Sequence, residues 1–368
     1  MPAMTDTLVY VGTYTGGRGK GIYLFRLPTG NAAASQHAAL VPLGLVAETP
    51  SPSFFDIDAK RRLLFAVNEI NEFQGEKTGA VSAFSIDADT GKLTLLNQRP
   101  SRGTGPCHIV LDKERRNVLV ANYGSGSVAS LPVGSDGRLG AATAFVQHTG
   151  SSVNPERQRG PHAHCMTLDP ANRFVFACDL GLDQVLTYRF DPSRGTLAAG
   201  DPPFTAIKPG AGPRHMAFRP DGRFAYVLNE MNSTIAAFAY DASAGRLKEI
   251  QTVSSLPGYF TGANSGAEID VHPSGKWLYA SNRGHNSVVL FAIDSAAGTL
   301  TYAEEQSTGG SKPRHFGIDP SGKYLGVGNQ DSDTVLLCRI DANSGRLTPM
   351  GAPASVPSPA CVKFLAPA

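Results

Sequence analysis

Long apolar runs are missing from this 368-residue chain. No stretch approaches the roughly 20 residues that a membrane-crossing helix needs. No sustained 3.6-residue hydrophobic period appears either, so neither a membrane span nor a helical bundle is expected. Cysteine is sparse and odd in number: Cys107, Cys165, Cys178, Cys338 and Cys361 are scattered, with no C-x-x-C pair. That pattern excludes a disulfide framework and a zinc site of the paired-cysteine type. Charged residues make up only 17%, with a formal net charge of +2, so the electrostatic footprint of a nucleic-acid binder is absent. The opening MPAMTDTLVY has neither the basic nor the apolar region of a secretory leader. A reducing, cytoplasmic setting is expected, with no nucleic-acid or membrane partner, and the chain is expected to act as a monomer.

Turn-forming residues are plentiful, with Gly 40 and Pro 26, and 41% of the chain is hydrophobic, enough for a large core. The clearest unit is Gly212 to Leu247. Met216 to Phe218, Phe224 to Leu228 and Thr234 to Tyr240 read as three short strands. They are joined by Pro220-Asp221-Gly222-Arg223 and, after an intervening loop, followed by a turn at Asp241 to Leu247. Proline presets φ in such turns and glycine accepts φ > 0. Copies of the unit begin near Pro52, Gly105, Gly160, Gly266 and Pro313. The two ends supply the pieces of one more. Pro359 to Phe364 resembles a first strand, while Leu8 to Tyr14 and Gly21 to Leu27 resemble a second and third.

The period of roughly 45–55 residues is near that of propeller blades. Each unit has room for a fourth strand, such as Leu247 to Val253. The fold expected is therefore all-β: a seven-bladed β-propeller with four antiparallel strands per blade. One blade is closed by both termini, which removes an open edge. A single domain spanning 1–368 is expected, with blades from about 8 to 365. A sandwich or a solenoid fits less well, because neither needs the last strand to complete the first unit.

Strands are lettered A to D outward from the axis. In such a meander the Pro-x-Gly turns share the lower face. The starts of strands A and the ends of strands B share the upper one. The A set is Ser53-Phe54, Cys107-His108, His164-Cys165, Arg214-His215, Ala267-Glu268, Arg314-His315 and Ala360-Cys361. The B set is Thr13-Tyr14, Asn68-Glu69, Asn122-Tyr123, Asp179-Leu180, Asn229-Glu230, Asn282-Arg283 and Asn329-Gln330. Polar groups converging on a concave site mark the default ligand site.

The repeated asparagines read as backbone-satisfying. His108, His215 and His315 read either as bridges between blades or as site residues. Glu69, Glu230, Glu268, Arg214, Arg283 and Arg314 exceed what packing needs, because unpaired buried charge is costly. Their surplus suggests a ligand bearing carboxylate or phosphate, which arginine binds bidentately. Gln330 falls on the same face. The fourth copy carries both His162 and His164, and counting back from Asp169-Pro170 favours His164 for the axial position. No third ligand accompanies that pair, so no metal and no cofactor are expected.

Six segments, GPHAH, GPRHMAF, VLNEMNS, AEIDVHPSG, YASNRGHNSV and KPRHFGIDPSGKYL, resemble the bacterial and fungal lactonase family of seven-bladed propellers. That family includes propeller-type 6-phosphogluconolactonases and the fungal carboxy-muconate lactonising enzyme. GPRHM followed by Asn-Glu at the end of the next strand is specific to this family; propeller repeats of the tryptophan-aspartate type do not carry it.

The resemblance implies an active-site set of one histidine, two arginines and one glutamate, which falls on His164, Arg214, Arg283 and Glu230. It implies hydrolysis of an anionic sugar lactone, with 6-phosphogluconolactone first and 6-phosphogluconate as product. The alternatives are a lactonising enzyme acting on a carboxylated muconate and a non-catalytic propeller presenting its rim to a partner. Hydrolysis needs a base for water and a cation or donor for the oxyanion. Glu230 and His164 are both candidates for the base. Glu69, His108, His215, Glu268, Arg314, His315 and Gln330 are expected to bind substrate.

Overall fold

The structure is a computed structural model that describes residues 6–28 and 39–367. The first five residues, part of the segment read as lacking a leader, lie outside the described residues, as do 29–38 and 368. The described residues form seven four-stranded antiparallel sheets, each a meander with strand A innermost. Blade 1 is the split one: its strand A is Pro359–Leu365 and its strand B is Thr7–Thr13. Leu8 pairs with Leu365, Val9 with Phe364 and Tyr10 with Lys363, so the termini close the ring as the repeats require.

Burial follows strand position. Strand B is buried along its whole length in five blades, as in Leu63–Asn68, Phe174–Asp179 and Phe224–Asn229, and in the other two only its first residue, Trp277 or Tyr324, is partly exposed. Such strands are covered on both faces by neighbouring blades and so read as continuous apolar runs rather than alternating ones. Strand D lies outside and is half exposed, as in Arg246–Ser254. Tyr226 and Phe238 lose nearly all contact with water, and burying a side chain of that size contributes roughly 1.5–3 kcal/mol. Gly222, Gly275 and Gly322 close the lower A–B turns at φ near 70°, in the left-handed region where a Cβ is penalised.

The repeated asparagine does structural work. Asn68 Nδ2 donates to Thr49 Oγ1 at 2.8 Å, Asn282 Nδ2 to Ser255 O at 2.7 Å and Asn329 Nδ2 to Thr308 O at 3.0 Å. Each ties the end of strand B to the incoming inter-blade link. In blade 4 Asp179 takes this place, accepting from His162 N and meeting His148 Nδ1 at 2.6 Å.

One local feature decides which side chains reach the axis. In blades 3, 4, 5 and 7, strand A slips register near its start, between Pro106 and His108, Ala163 and Cys165, Pro213 and His215, and Pro313 and His315. The residue skipped each time is Cys107, His164, Arg214 or Arg314. A β-bulge sets two residues against one and re-aims a side chain. Two consecutive residues of one strand can therefore both serve the channel, one above the other.

Candidate active site

The bulge residues form an upper ring and the residues after them a plug. In the plug the Phe54 ring lies 4.2 Å from that of His108, 5.2 Å from His315 and 5.8 Å from His215. His215 Nδ1 lies 3.0 Å from Glu268 Oε1, and His315 Nε2 lies 3.3 Å from Glu268 Oε2. Burial pushes His215 well below its usual range, helped by Arg214 and Arg314, and pushes His315 down to about 3 against the pull of Glu268. Burial raises Glu268 in turn. With the histidine rings neutral, these contacts are hydrogen bonds to Glu268 rather than ion pairs.

Above the plug lies a cavity of about 350 Å³, lined by Glu69, Cys107, Tyr123, Arg157, His164, Glu230, Ser265, Arg283 and Arg314. At its centre Glu230, only 6% exposed, is held by three arginines. Oε2 lies 3.1 Å from Arg214 Nε and 2.8 Å from Arg283 Nη2, and Oε1 lies 2.8 Å from Arg157 Nη2. Burial alone would raise the Glu230 carboxyl, but Arg283, Arg214 and Arg157 bring it down to about 2. Burial lowers Arg283 to about 10 against the pull of Glu230, and its Nε has no hydrogen-bond partner in the protein. Arg314 is paired differently: its guanidinium sits 5.0 Å above the Tyr14 ring rather than on a carboxylate. Tyr14 in turn donates to Glu69 Oε2 at 2.9 Å.

His164 is 4% exposed. Its Nδ1 lies 3.8 Å from Cys107 Sγ, and the thiol donates to the His164 carbonyl at 3.3 Å. Nε2 is thus the ring nitrogen left for a ligand. Burial, reinforced by Arg214, His215, Arg314 and Arg283, keeps the ring neutral. His162 stacks on Tyr123 at 4.5 Å, with Nδ1 3.0 Å from Tyr123 O. Among the described residues, no group of three or more His, Cys, Asp or Glu side chains could hold a metal ion.

The sequence expectation of one converging upper set needs correction. His164, Glu230, Arg283, Glu69 and Arg314 line the cavity, and Arg214 supports it through Glu230 from just below. His108, His215, Glu268 and His315 do not line it, because each sits one residue further along strand A, in the plug. Gln330 is also outside: a 3-10 turn, Gln330–Ser332, begins where Glu69, Glu230 and Arg283 face the cavity in their own blades. Cys107 and Tyr123, which the sequence places on the upper face without a role, line the cavity too, and Arg157 is a lining residue that the repeat does not point to. For Arg157 the available signal was the extra length before strand A of blade 4.

Below the plug a second cavity of about 340 Å³ opens at the other mouth, lined by Asp56, Lys113, Glu268, Asp270 and Lys363 among others. The two mouths are thus chemically distinct, and only the upper one carries arginine.

Comparison with known proteins agrees with this architecture. Residues 8–364 match the family described as lactonase, 7-bladed beta-propeller. A 6-phosphogluconolactonase of Bacillus subtilis is 38% identical over 362 residues, covering 98% of this chain and 99% of that one. A 6-phosphogluconolactonase of Formosa agariphila is 31% identical, covering 83% and 85%. The solved structure of a periplasmic gluconolactonase from Pseudomonas aeruginosa superposes with a TM-score of 0.90 at 34% identity, covering 98% and 99%. With the match running through all seven blades and both closing strands, the chain belongs to the seven-bladed β-propeller lactonase family.

Proposed function

We propose that this protein hydrolyses a phosphorylated sugar lactone at the upper mouth, with 6-phosphogluconolactone as substrate and 6-phosphogluconate as product. That is the ring-opening step of the pentose phosphate pathway. The observation carrying this reading is a charge imbalance. Three guanidiniums, of Arg157, Arg283 and Arg314, line the cavity against two carboxylates, Glu69 and Glu230, and a fourth, Arg214, reaches Glu230 from just below. The excess of arginine over carboxylate suits an anionic lactone, and arginine grips a phosphate bidentately. The names of the Bacillus and Formosa relatives support the same substrate.

His164 acts as the base. Its neutral ring can take a proton from water and return it to the ring oxygen as the C–O bond breaks. Glu230, both of whose oxygens are taken up by guanidiniums, serves as a hydrogen-bond acceptor rather than as the proton acceptor. It orders the arginines and helps to aim the water. Arg283 stabilises the tetrahedral oxyanion, and Arg314 anchors the phosphate. A cytoplasmic setting fits five buried free thiols; osmotic-shock fractionation separates it from the periplasmic setting named for the Pseudomonas relative.

A panel of phosphorylated and unphosphorylated lactones, assayed by acid release with the spontaneous rate subtracted, tests this reading. Phosphorylated substrates should show the higher kcat/KM, and Arg314→Ala should raise KM for them selectively. Equal rates on both classes would remove the phosphate assignment.

A further inference from the structure

Arg157 differs from the other arginines around Glu230. Its side chain is 44% exposed, against 3% for Arg214 and 12% for Arg283. It alone holds Oε1, while the two buried arginines share Oε2. It arrives on the long link between blades 3 and 4, and the base of that link is fixed. Gln158, fully buried, donates from Nε2 to Leu180 O at 2.8 Å and accepts at Oε1 from Asn154 N at 3.0 Å. Only the side chain of Arg157 is therefore free to move. What it would leave is one hydrogen bond to Glu230 and one to Tyr123 Oη at 3.1 Å. Arg157 is the most exposed of the three arginines on Glu230, whose charge stays paired with Arg214 and Arg283 when it leaves, and a phosphate dianion offers the freed guanidinium a bidentate partner.

The geometry points to Arg157 as a substrate-exchanged latch: the phosphate of the lactone takes Arg157 from Glu230 Oε1, and the freed oxygen then accepts a hydrogen bond from the attacking water. This inference rests on the phospholactone reading above and adds to it a coupling between phosphate binding and turnover. The water gives one proton to His164 Nε2 while its other hydrogen stays on the water oxygen and is hydrogen-bonded to Glu230 Oε1. Its oxygen bonds the lactone carbonyl carbon, and the proton passes from His164 to the ring oxygen as that C–O bond breaks. An unphosphorylated lactone leaves Arg157 on Glu230, so it loses kcat as well as affinity.

The test uses full-length wild type, Arg157→Ala and Arg157→Lys with 6-phosphogluconolactone and glucono-1,5-lactone, each with and without inorganic phosphate. Wild type should turn over the unphosphorylated lactone faster when phosphate is added. Arg157→Ala should raise KM for the phosphorylated lactone by roughly 10–100-fold, the loss of one charge-assisted hydrogen bond. It should also raise kcat for the unphosphorylated lactone above wild type and abolish the response to phosphate. Arg157→Lys should retain part of that response. If Arg157→Ala lowers kcat/KM for both lactones by one factor and phosphate activates neither enzyme, the latch is wrong while the lactonase reading stands. If wild type hydrolyses neither lactone above the spontaneous rate, both fall.

Discussion

The two mouths of the channel are built from the same seven repeats yet carry opposite chemistry. The upper cavity is lined by three arginines and two glutamates, with Arg214 reaching Glu230 from just below, and its anionic centre, Glu230, is pulled down to about 2. In the lower one Asp56, Glu268 and Asp270 face Lys113 and Lys363, and Asp270 is pushed up to about 6 by burial and by Glu268. Between them the neutral cluster of Phe54, His108, His215 and His315 separates the chambers. A repeat architecture supplies equivalent positions at both ends; the sign of the charge placed there determines which end takes an anion. Cavity volume does not discriminate, since the two are nearly equal at about 350 and 340 Å³.

The strongest way to break the contrast is to remove the strand that serves both ends. Pro359–Leu365 closes blade 1 and carries Lys363 into the lower chamber. Deleting the residues after Pro357 should open the ring, expose the edge of Thr7–Thr13 and cause aggregation. Size-exclusion chromatography and thermal melting read this directly. A compact monomer with an unchanged Tm would show that the closing strand is dispensable.

A catalytic comparison comes next. His164→Asn should lower kcat by roughly 10²–10⁴-fold, the range for loss of a positioned proton acceptor, with the melting point little changed. Asp270→Asn, at the other mouth, should leave kcat and KM as they are. Equal losses in the two variants would mean that the chambers work as one site.

Glu230→Gln tests the electrostatics of the upper mouth. The variant leaves three guanidiniums without their shared carboxylate, and breaking a buried pair costs about 3–5 kcal/mol. The pH dependence has a definite sign. The folded-state pKa of Glu230 is depressed from 4.5 to about 2. Its ionised form therefore stabilises the fold above about pH 4.5, and that stability is lost as pH falls through about 2. Wild type should lose Tm between pH 5 and 2 more steeply than Glu230→Gln. Parallel acid limbs would show that Glu230 is not held by the arginines.

The fold was legible because it repeats. Asn ends strand B in five blades and Pro-x-Gly closes the lower turn in three, and the incomplete units at the two ends point to the split one. The site was legible only to one residue's resolution. Arg214 and His215 are adjacent in sequence, and alternation along a strand would send them to opposite faces. The bulge at Arg214 brings both to the axis at different heights, and nothing in the composition of GPRHM announces it. Arg157 was hidden for another reason: it lies on an inter-blade link with no counterpart in the other repeats. The three-way hold on Glu230 therefore could not be counted from the repeat alone.

The smallest expected effect belongs to the lower mouth. The Asp270 carboxylate accepts one hydrogen bond, from Val271 N at 2.8 Å, and burial together with Glu268 raises its pKa from 3.8 to about 6. The fold therefore holds a proton on Asp270 more tightly than the unfolded chain does. That preference adds stability below about pH 3.8, and the benefit is lost as pH rises through 6. Above pH 6 the charged carboxylate sits beside Glu268, with Lys363 as a partial counterweight. Asp270→Asn removes this cost while keeping the shape of the side chain. The variant should melt higher than wild type at pH 8, and the gap should close on titration to pH 4, with lactone turnover unaffected at either pH. A variant that melts lower than wild type at pH 8 would make ionised Asp270 a stabilising partner of Lys363, and the lower chamber would then be a paired-charge site rather than a strained one.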